Sequence, residues 1–280
     1  MTTRTAALPG GTITYEDSGG TGPVVVLLHG LLMDATLWDD VVAELAPEHR
    51  CVVPTLPLGA HVEPMPPDAD LALPAIADLV VQLLDHLALD DLTLVGNDTG
   101  GAVVQLVAAD DPPRVRRIVL ASCDAFDNFP PRVTGTALVR AGRLPPSLFG
   151  LFMQQMRLRP ARRLPIAFGW LTKRGDAATA RWIRALLSRA EIRRDAVKVL
   201  RAIRADRSVL ERVAERLPAF GRPALVVWAS EDRIMPIEHA HRLLDLLPDG
   251  RLVEIADSYT LIPLDRPSEL AAAIRTFVAT

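Results

Sequence analysis

The sequence predicts an α/β fold, in which helices cover both faces of a mostly parallel sheet and a helical segment is inserted between two strands. Short β-branched apolar runs alternate with amphipathic helical patterns along the chain. Near-continuous apolar runs such as PVVVLLHG are typical of strands buried on both faces of a parallel sheet. Between RIVLASCD and ALVVWASED, about 100 residues pass without a convincing strand pattern, which favours an insertion over a loop.

The elements follow one another in a regular order. The strand-like runs are TITYE, PVVVLLHG, CVVPTL, LTLVGND, RIVLASCD, ALVVWASED and RLVEIAD. Helical patterns such as WDDVVAELA and LVVQLLDHLAL separate most of them, and the insertion contains SLFGLFMQQM, ATARWIRALLS and IRRDAVKVLRAI. We therefore predict a core of residues 1–125 and 215–280 and a helical cap of residues 126–214.

Composition restricts the possible function classes. The start of the chain lacks an apolar run of signal-peptide length, and no segment reaches the roughly 18 uncharged apolar residues of a membrane span, so we expect a cytoplasmic protein. The two cysteines, Cys51 and Cys123, provide neither a disulfide framework nor a metal-binding spacing. Because no phosphate loop or dinucleotide motif is present, we expect no cofactor and no metal.

Charge is divided unevenly along the chain. Residues 128–214 contain 19 Lys and Arg against 5 Asp and Glu, whereas the whole chain has a net charge of -3. Spread at helical spacing, these arginines are most simply solvated faces and ion pairs with an acidic core. The sequence has no basic strip interleaved with aromatic residues, so we expect no nucleic-acid partner. No single helix carries a large apolar face opposite the charged residues, so we expect no membrane partner. We expect a small-molecule substrate; oligomeric state stays open.

The stretch GNDTGG places Asp98 between an apolar strand and a helix. Ligands of parallel sheets bind beyond the carboxyl ends of the strands, so the residues that follow each strand are candidates for a site. Besides Asp98 they include His29, Asp124, Asp232 and the segment DSYTLIP. As an alternative, Asp98 could simply cap the helix TGGAVVQLVAA.

The glycine placement of GNDTGG matches a nucleophile elbow with Asp in place of Ser. With this elbow, the HG after PVVVLL, the acid in WASED and the closing PLDRPSEL, the sequence resembles the α/β-hydrolase superfamily over essentially its whole length outside the cap. The acid at the elbow resembles the branch of haloalkane dehalogenases and epoxide hydrolases. The resemblance implies a mostly parallel eight-stranded sheet and a hydrolase in which Asp98 attacks carbon; a carboxylate is already ionised at neutral pH and needs no base to activate it.

The same resemblance assigns the other roles in the site. The backbone N–H groups of Leu31 and Thr99 would form the oxyanion hole. His29 would hold its loop by hydrogen bonds to backbone. Either Asp232 or Asp124 would be the acid that orients a histidine, and Asp232 is the favoured choice because most of the superfamily keeps its acid after that strand.

The pattern breaks where the catalytic histidine is expected. In DSYTLIPLDRP, Thr260 occupies the histidine position and Tyr259 the preceding glycine position, and no histidine follows His241. A threonine hydroxyl is not a base at neutral pH, so hydrolysis of an ester on Asp98 would lack its base. The best substitute is His61, in the loop LPLGAHVEPM, although a solvated loop histidine is the simpler alternative.

Three hypotheses for function remain. The first is a cofactor-independent hydrolase for a small, largely apolar substrate. The second is a lyase, isomerase or cyclase that uses Asp98 as general acid or base, and the third is a ligand-binding protein without catalysis. The substrate pocket is expected to contain His29, Asn97, Tyr259, Thr260 and Trp170, and apolar cap residues would close it.

Overall fold

The computed structural model describes residues 1–110, 112–131 and 134–280 and has an eight-stranded sheet at its centre. In chain order the strands are β1 (Thr2–Leu8), β2 (Gly11–Asp17), β3 (Val24–Leu28), β4 (Arg50–Thr55), β5 (Leu92–Asp98), β6 (Val115–Cys123), β7 (Ala224–Ala229) and β8 (Gly250–Ile255). Their order in the sheet is β1-β2-β4-β3-β5-β6-β7-β8; β2 is antiparallel to both of its neighbours, β1 and β4, and all other neighbouring strands are parallel. The predicted α/β fold with a mostly parallel sheet is confirmed.

The burial of each strand determines whether it appears in the sequence as an apolar run. Every residue of the central strand β5 is buried, as a strand covered on both faces requires. The edge strand β1 buries only one of its seven residues, so it is not among the apolar runs of the sequence. It completes the sheet by pairing with β2 from Thr2 opposite Asp17 to Leu8 opposite Gly11.

Helices connect the strands. They are α1 (Asp39–Leu45), α2 (Leu73–His86), α3 (Thr99–Ala109), α4 (Thr134–Ala141), α5 (Pro146–Met153), α6 (Arg159–Arg162), α7 (Asp176–Ser188), α8 (Ala190–Ala205), α9 (Val209–Ala214), α10 (Ile237–Leu246), α11 (Ile262–Asp265) and α12 (Pro267–Val278). Helix α3 is buried along its whole length, where it packs against β5, β6 and α2. It therefore forms a rigid support for the turn at Asp98.

The insertion between β6 and β7 contains helices joined by turns, and no strand in the part that the structure describes. Its longest helix is α8, whose buried positions Ile192, Ala196, Val199, Leu200 and Ile203 recur at helical spacing and face the other cap helices. Helices α4, α5 and α7 all pack against α8. The domain boundaries at residues 125/126 and 214/215 stay predictions.

Polar contacts fasten the cap to the core. Buried Asp265 accepts hydrogen bonds from the Thr172 hydroxyl over 2.7 Å and from the backbone N–H groups of Lys173 and Arg174. Nearby, the Lys173 ammonium lies 2.8 Å from Glu231. Part of the basic charge of the cap is thus paired with the acidic core, and these contacts fix the roof of the cavity described next.

Candidate active site

Asp98 lies at the end of β5, on the sharp turn that starts α3. Its backbone has φ +55° and ψ -129°, a conformation that costs a non-glycine residue about 1 to 3 kcal/mol. Two glycines permit the close packing: a Cβ atom at Gly100 would overlap the Leu28 carbonyl, and one at Gly30 would overlap the Asp98 carboxylate. The Asp98 side chain makes no capping hydrogen bond to α3, so the strained turn has the geometry of a nucleophile elbow.

The Asp98 carboxylate is held mainly through one of its oxygens. The Leu31 backbone N–H donates to Asp98 Oδ2 over 3.2 Å, and the Thr99 hydroxyl lies 3.4 Å from the same oxygen. The Thr99 backbone N–H also faces this carboxylate and acts to lower its pKa. The two N–H groups expected to form the oxyanion hole thus converge on Asp98 itself, and Oδ1 is the oxygen available to a substrate.

Asp124 follows β6 and lies beside the elbow. Its backbone N–H donates to the Asp98 carbonyl over 3.3 Å, which ties the two strand ends together. The Thr99 hydroxyl and Asp124 Oδ2 are 2.8 Å apart, so one hydroxyl links the two carboxyl groups. Asp124 Oδ1 is buried without a hydrogen-bond partner among the described residues.

Burial changes the acidity of both groups. It raises the pKa of Asp98 to about 6, although the N–H groups of Thr99 and Leu31 oppose the shift. The pKa of Asp124 lies well above its ordinary value, first because of burial and second because of the negative charge of Asp98. Two carboxyl groups this close titrate as a pair, and burial together with the charge of Asp98 favours Asp124 as the holder of their shared proton.

Asp232 and Thr260 form a second pair, after β7 and β8. The Thr260 hydroxyl donates to Asp232 Oδ1 over 2.8 Å, and the backbone N–H groups of Ile234 and Met235 donate to the same oxygen over 2.8 Å each. Burial raises the pKa of Asp232 to about 6. Thr260 thus makes the contact with the acid that a histidine at this position would make, but its hydroxyl is no base at neutral pH.

A cavity of about 310 Å³ lies over Asp98, Thr99 and Asp124. The other described lining residues are apolar or neutral, and several come from the cap: Phe129, Leu138, Phe152, Met153, Met156, Leu164, Ile166, Phe168, Leu171 and Ile203, with Thr134 and Gln155. This described lining contains no imidazole, amine or guanidinium group, and neither Asp232 nor Thr260 belongs to it. Such a cavity suits a small, neutral, apolar molecule that meets two carboxyl groups at its floor.

The histidines lie elsewhere. His61 is buried with its Nε2 3.2 Å from Asp195 Oδ2 on α8, so it joins the loop after β4 to the cap and is not part of the described cavity lining. His29 Nε2 accepts from the Leu56 N–H over 2.8 Å, so its Nδ1 donates to the Gly30 carbonyl. Burial lowers the pKa of His29 to about 4, which keeps it neutral in the backbone-holding role expected for it.

The remaining predicted pocket residues surround the site without lining it in the described structure. The Asn97 amide donates to the Thr260 carbonyl over 2.7 Å and to the Ala121 carbonyl over 2.8 Å, which joins three strand ends. Tyr259 lies between two cations, with Arg233 4.7 Å from its ring centre. Trp170 is half-buried against the apolar core of the cap.

Two features of the site were not predicted from the sequence: the contact made by one side chain and the contribution of one segment to the cavity lining. The Thr99 side chain was overlooked because the resemblance assigns only its backbone N–H a function. The segment NFPP contributes Phe129, Pro130 and Pro131 to the cavity. Its position directly after a strand end was the available signal.

A family model described as alpha/beta hydrolase fold matches residues 23–267. The chain belongs to the α/β-hydrolase fold family. This α/β hydrolase is 30% identical over 270 residues to Haloalkane dehalogenase 2 of Mycobacterium tuberculosis, with 94% of this chain and 90% of the relative covered. It is 28% identical over 287 residues to cis-3-alkyl-4-alkyloxetan-2-one decarboxylase of Xanthomonas campestris pv. campestris, with 96% and 93% covered.

Solved structures agree on the fold. A putative ancestral haloalkane dehalogenase superimposes with a TM-score of 0.78 at 22% identity, covering 99% of this chain and 98% of that one. An esterase from Thermogutta terrifontis gives a TM-score of 0.74 at 22% identity, with 100% and 98% covered. No helix among the described residues is long and apolar enough to cross a membrane. The same residues contain no cluster of three or more His, Cys, Asp or Glu able to hold a metal ion.

Proposed function

We propose that this α/β hydrolase acts on a small, neutral, largely apolar molecule by proton transfer between Asp98 and Asp124, without water as a reactant. The observation that supports the proposal is the Thr260–Asp232 contact of 2.8 Å in the place where a catalytic histidine is expected. Hydrolysis of an ester on Asp98 needs a base to take a proton from water, and the described lining offers only carboxyl groups.

The two carboxyl groups have complementary roles. Above pH 6 the ionised Asp98 takes a proton from the substrate through Oδ1, while neutral Asp124 donates a proton or hydrogen bond to a substrate oxygen. After Asp98 has taken a proton from the substrate and Asp124 has given one up, a proton can return from Asp98 to Asp124 through the Thr99 hydroxyl between them. No net proton is consumed, so the reaction class is an elimination, an isomerisation or a cyclisation.

The first experiment is a substrate panel in D2O. The panel contains β-hydroxy ketones, β,γ-unsaturated ketones, cis-3,4-dialkyl oxetan-2-ones, 1-haloalkanes and p-nitrophenyl esters. We expect turnover of a neutral carbonyl compound, with deuterium entering the product or the recovered substrate. Asp98→Asn should abolish this exchange, and the exposed control Asp249→Asn should leave it unchanged. Multiple turnover of an ester or haloalkane to a hydrolysed product would overturn the proposal.

A second candidate follows from the elbow itself. Asp98 Oδ2 is held by backbone donors while Oδ1 is free for attack, which is the arrangement of a carboxylate nucleophile. The relative from Xanthomonas campestris is named for decarboxylation of an oxetan-2-one. If Oδ1 attacks the ring carbon that carries the oxygen, the ring C–O bond breaks and leaves an alkyl ester on Asp98 and a free carboxylate. Loss of CO2 then forms the alkene and expels Asp98, so the atoms balance without water or base.

Mass spectrometry distinguishes the two candidates. The nucleophilic reaction predicts that quenching during turnover of a cis-3,4-dialkyl oxetan-2-one gives an alkyl adduct on the peptide containing Asp98, with stoichiometric CO2 and alkene. The proton-transfer reaction predicts no adduct and deuterium exchange from D2O. An adduct together with alkene would establish the second candidate and exclude the first for that substrate.

A further inference from the structure

The cap carries most of the large apolar side chains that the described structure leaves exposed. Six of the nine fall within residues 148–166, with exposed fractions from 43% to 69%. We call this group the rim patch: Leu148, Leu151, Phe152, Leu158, Leu164 and Ile166. Single exposed leucines are ordinary on protein surfaces, but a concentration of six within 19 residues marks an interaction surface.

The rim patch lies at the mouth of the cavity. Leu148, Leu151 and Phe152 are three and four residues apart on α5, so they share one exposed helix face. Phe152, Leu164 and Ile166 also line the cavity, although each is about half exposed. These three side chains therefore connect the outer surface of the cap with the lining of the space over Asp98.

The segment that carries the rim patch is basic. Residues 128–175 contain nine Lys and Arg and no Asp or Glu, and Asp176, which follows, pairs with Arg159 over 3.4 Å and with Arg162 over 3.2 Å. Arg157 and Arg159 flank Leu158, and both side chains are exposed. Exposed apolar side chains set among arginines are the composition of segments that rest in the headgroup region of anionic lipid.

We propose that the rim patch seats the cap on an anionic lipid surface. Charge complementarity selects this occupant, because a symmetric second copy would bring two strongly basic faces together. The acidic remainder of the chain orients the molecule with its cap towards the lipid. The sequence argued against a membrane partner because no single helix carries the apolar face; the fold assembles that face from α5 and the segment on either side of α6. Lipid binding does not depend on the chemistry proposed above.

The test is vesicle co-sedimentation of the full chain. Vesicles of phosphatidylcholine with about 30% phosphatidylglycerol should bind the protein, and pure phosphatidylcholine vesicles should bind it at least about fivefold more weakly. Raising NaCl from about 50 to about 500 mM should reduce binding to the anionic vesicles, because the screening length falls several-fold.

Matched variants complete the test. The double variant Leu151→Gln, Leu158→Gln should weaken partition by at least about fivefold. The control Val62→Gln, Val253→Gln removes two exposed apolar side chains elsewhere and should bind as the unaltered protein does. Circular dichroism verifies folding of both. No binding to anionic vesicles, or equal binding by both double variants, overturns the proposal. A dimer that the rim-patch variant converts to monomer, without lipid binding, would identify a second copy as the occupant.

Discussion

The site contains two buried aspartates that each contact a threonine hydroxyl over 2.8 Å, Asp124 with Thr99 and Asp232 with Thr260. The pairs differ in their backbone donors and in their position relative to the cavity. Asp232 Oδ1 accepts two further backbone N–H groups, Asp232 Oδ2 is buried without a partner in the described part of the chain, and Asp232 is not part of the described cavity lining. Asp124 lines the cavity beside Asp98, and its Oδ1 has no partner within the described part of the chain.

These surroundings separate a structural carboxyl group from a reactive one. A carboxyl oxygen that accepts three hydrogen bonds, two of them from backbone, is fixed in place and contributes to the fold. A carboxyl group that lines a cavity next to a second acid has both a shifted pKa and an open face towards a ligand. The Asp232 pair is therefore interpreted as structural and the Asp98–Thr99–Asp124 group as reactive.

Removing the Asp98 carboxylate should have the largest effect. We expect Asp98→Asn to lower kcat/KM by about 10³-fold, because the amide is neither a base nor a nucleophile. The measurement is kcat/KM with the substrate that the panel identifies. Asn has the same shape as the Asp that already adopts this backbone conformation, so circular dichroism should show an intact fold. Activity within about tenfold of the unaltered protein would remove Asp98 from the mechanism.

Removing the acid should have the next largest effect. We expect Asp124→Asn to lower kcat by about 10²-fold, because an amide can donate a hydrogen bond but cannot transfer a proton. The matched change Asp232→Asn should cost less than about tenfold. A larger loss for Asp232→Asn than for Asp124→Asn would reverse the comparison of the two pairs.

The pH profile should separate the two members of the reactive pair. Asp98 must be ionised, so kcat/KM should fall about tenfold per pH unit below pH 6, where its pKa lies. Asp124 must be protonated, so activity should also fall at alkaline pH as that group ionises. In Asp124→Asn the alkaline limb should disappear while the limb near pH 6 remains. An unchanged alkaline limb in that variant would assign the limb to another group.

Stability should depend on pH in the opposite sense to activity. Folding raises the pKa of Asp98 from 3.8 to about 6, so the folded state binds a proton on Asp98 more tightly than the unfolded state does. The resulting contribution to the free energy of unfolding is present below pH 4 and is lost as pH rises through 6. At pH 8 the free energy of unfolding of Asp98→Asn should therefore be about 1 to 3 kcal/mol higher than that of the unaltered protein, so the variant is the more stable of the two. Urea titrations at pH 4 and pH 8 measure the difference, which should shrink at pH 4. A variant less stable at pH 8 would contradict this assignment.

The smallest effect is expected at Thr260. Thr260→Val removes one of three donors to Asp232 Oδ1 and should lower the free energy of unfolding by about 1 to 2 kcal/mol. Turnover should change by less than about threefold, which kinetic assays can resolve. Thr260→Ser keeps the hydroxyl and serves as the control. A loss of turnover in the valine variant that serine restores would place Thr260 in the mechanism.

Much of the fold was predictable because its signals are local. Apolar runs, helical periodicity and the glycines of GNDTGG each reflect burial or backbone geometry within a few residues. The edge strand β1 escaped notice because an exposed strand needs no apolar run. The acids after β5, β6 and β7 were predictable because carboxyl ends of parallel strands share one edge of the sheet.

Contacts between distant segments were not predictable. His61 is placed by Asp195, which is 134 residues away on a cap helix, and no local pattern indicates that pairing. The link between Asp98 and Asp124 depends on the rotamer of Thr99. The exposure of the rim-patch side chains depends on how the cap packs on the core, so the sequence does not show which apolar residues of the cap stay exposed.

Isotope labelling shows whether water is a reactant. Turnover of the identified substrate would be carried out in H2(18O), followed by mass spectrometry of the product and of the peptide containing Asp98. Proton transfer between Asp98 and Asp124 predicts no 18O above the background of spontaneous exchange in either one. Incorporation of 18O into the Asp98 carboxylate and the product would show that an ester on Asp98 is hydrolysed, which contradicts the proposed reaction.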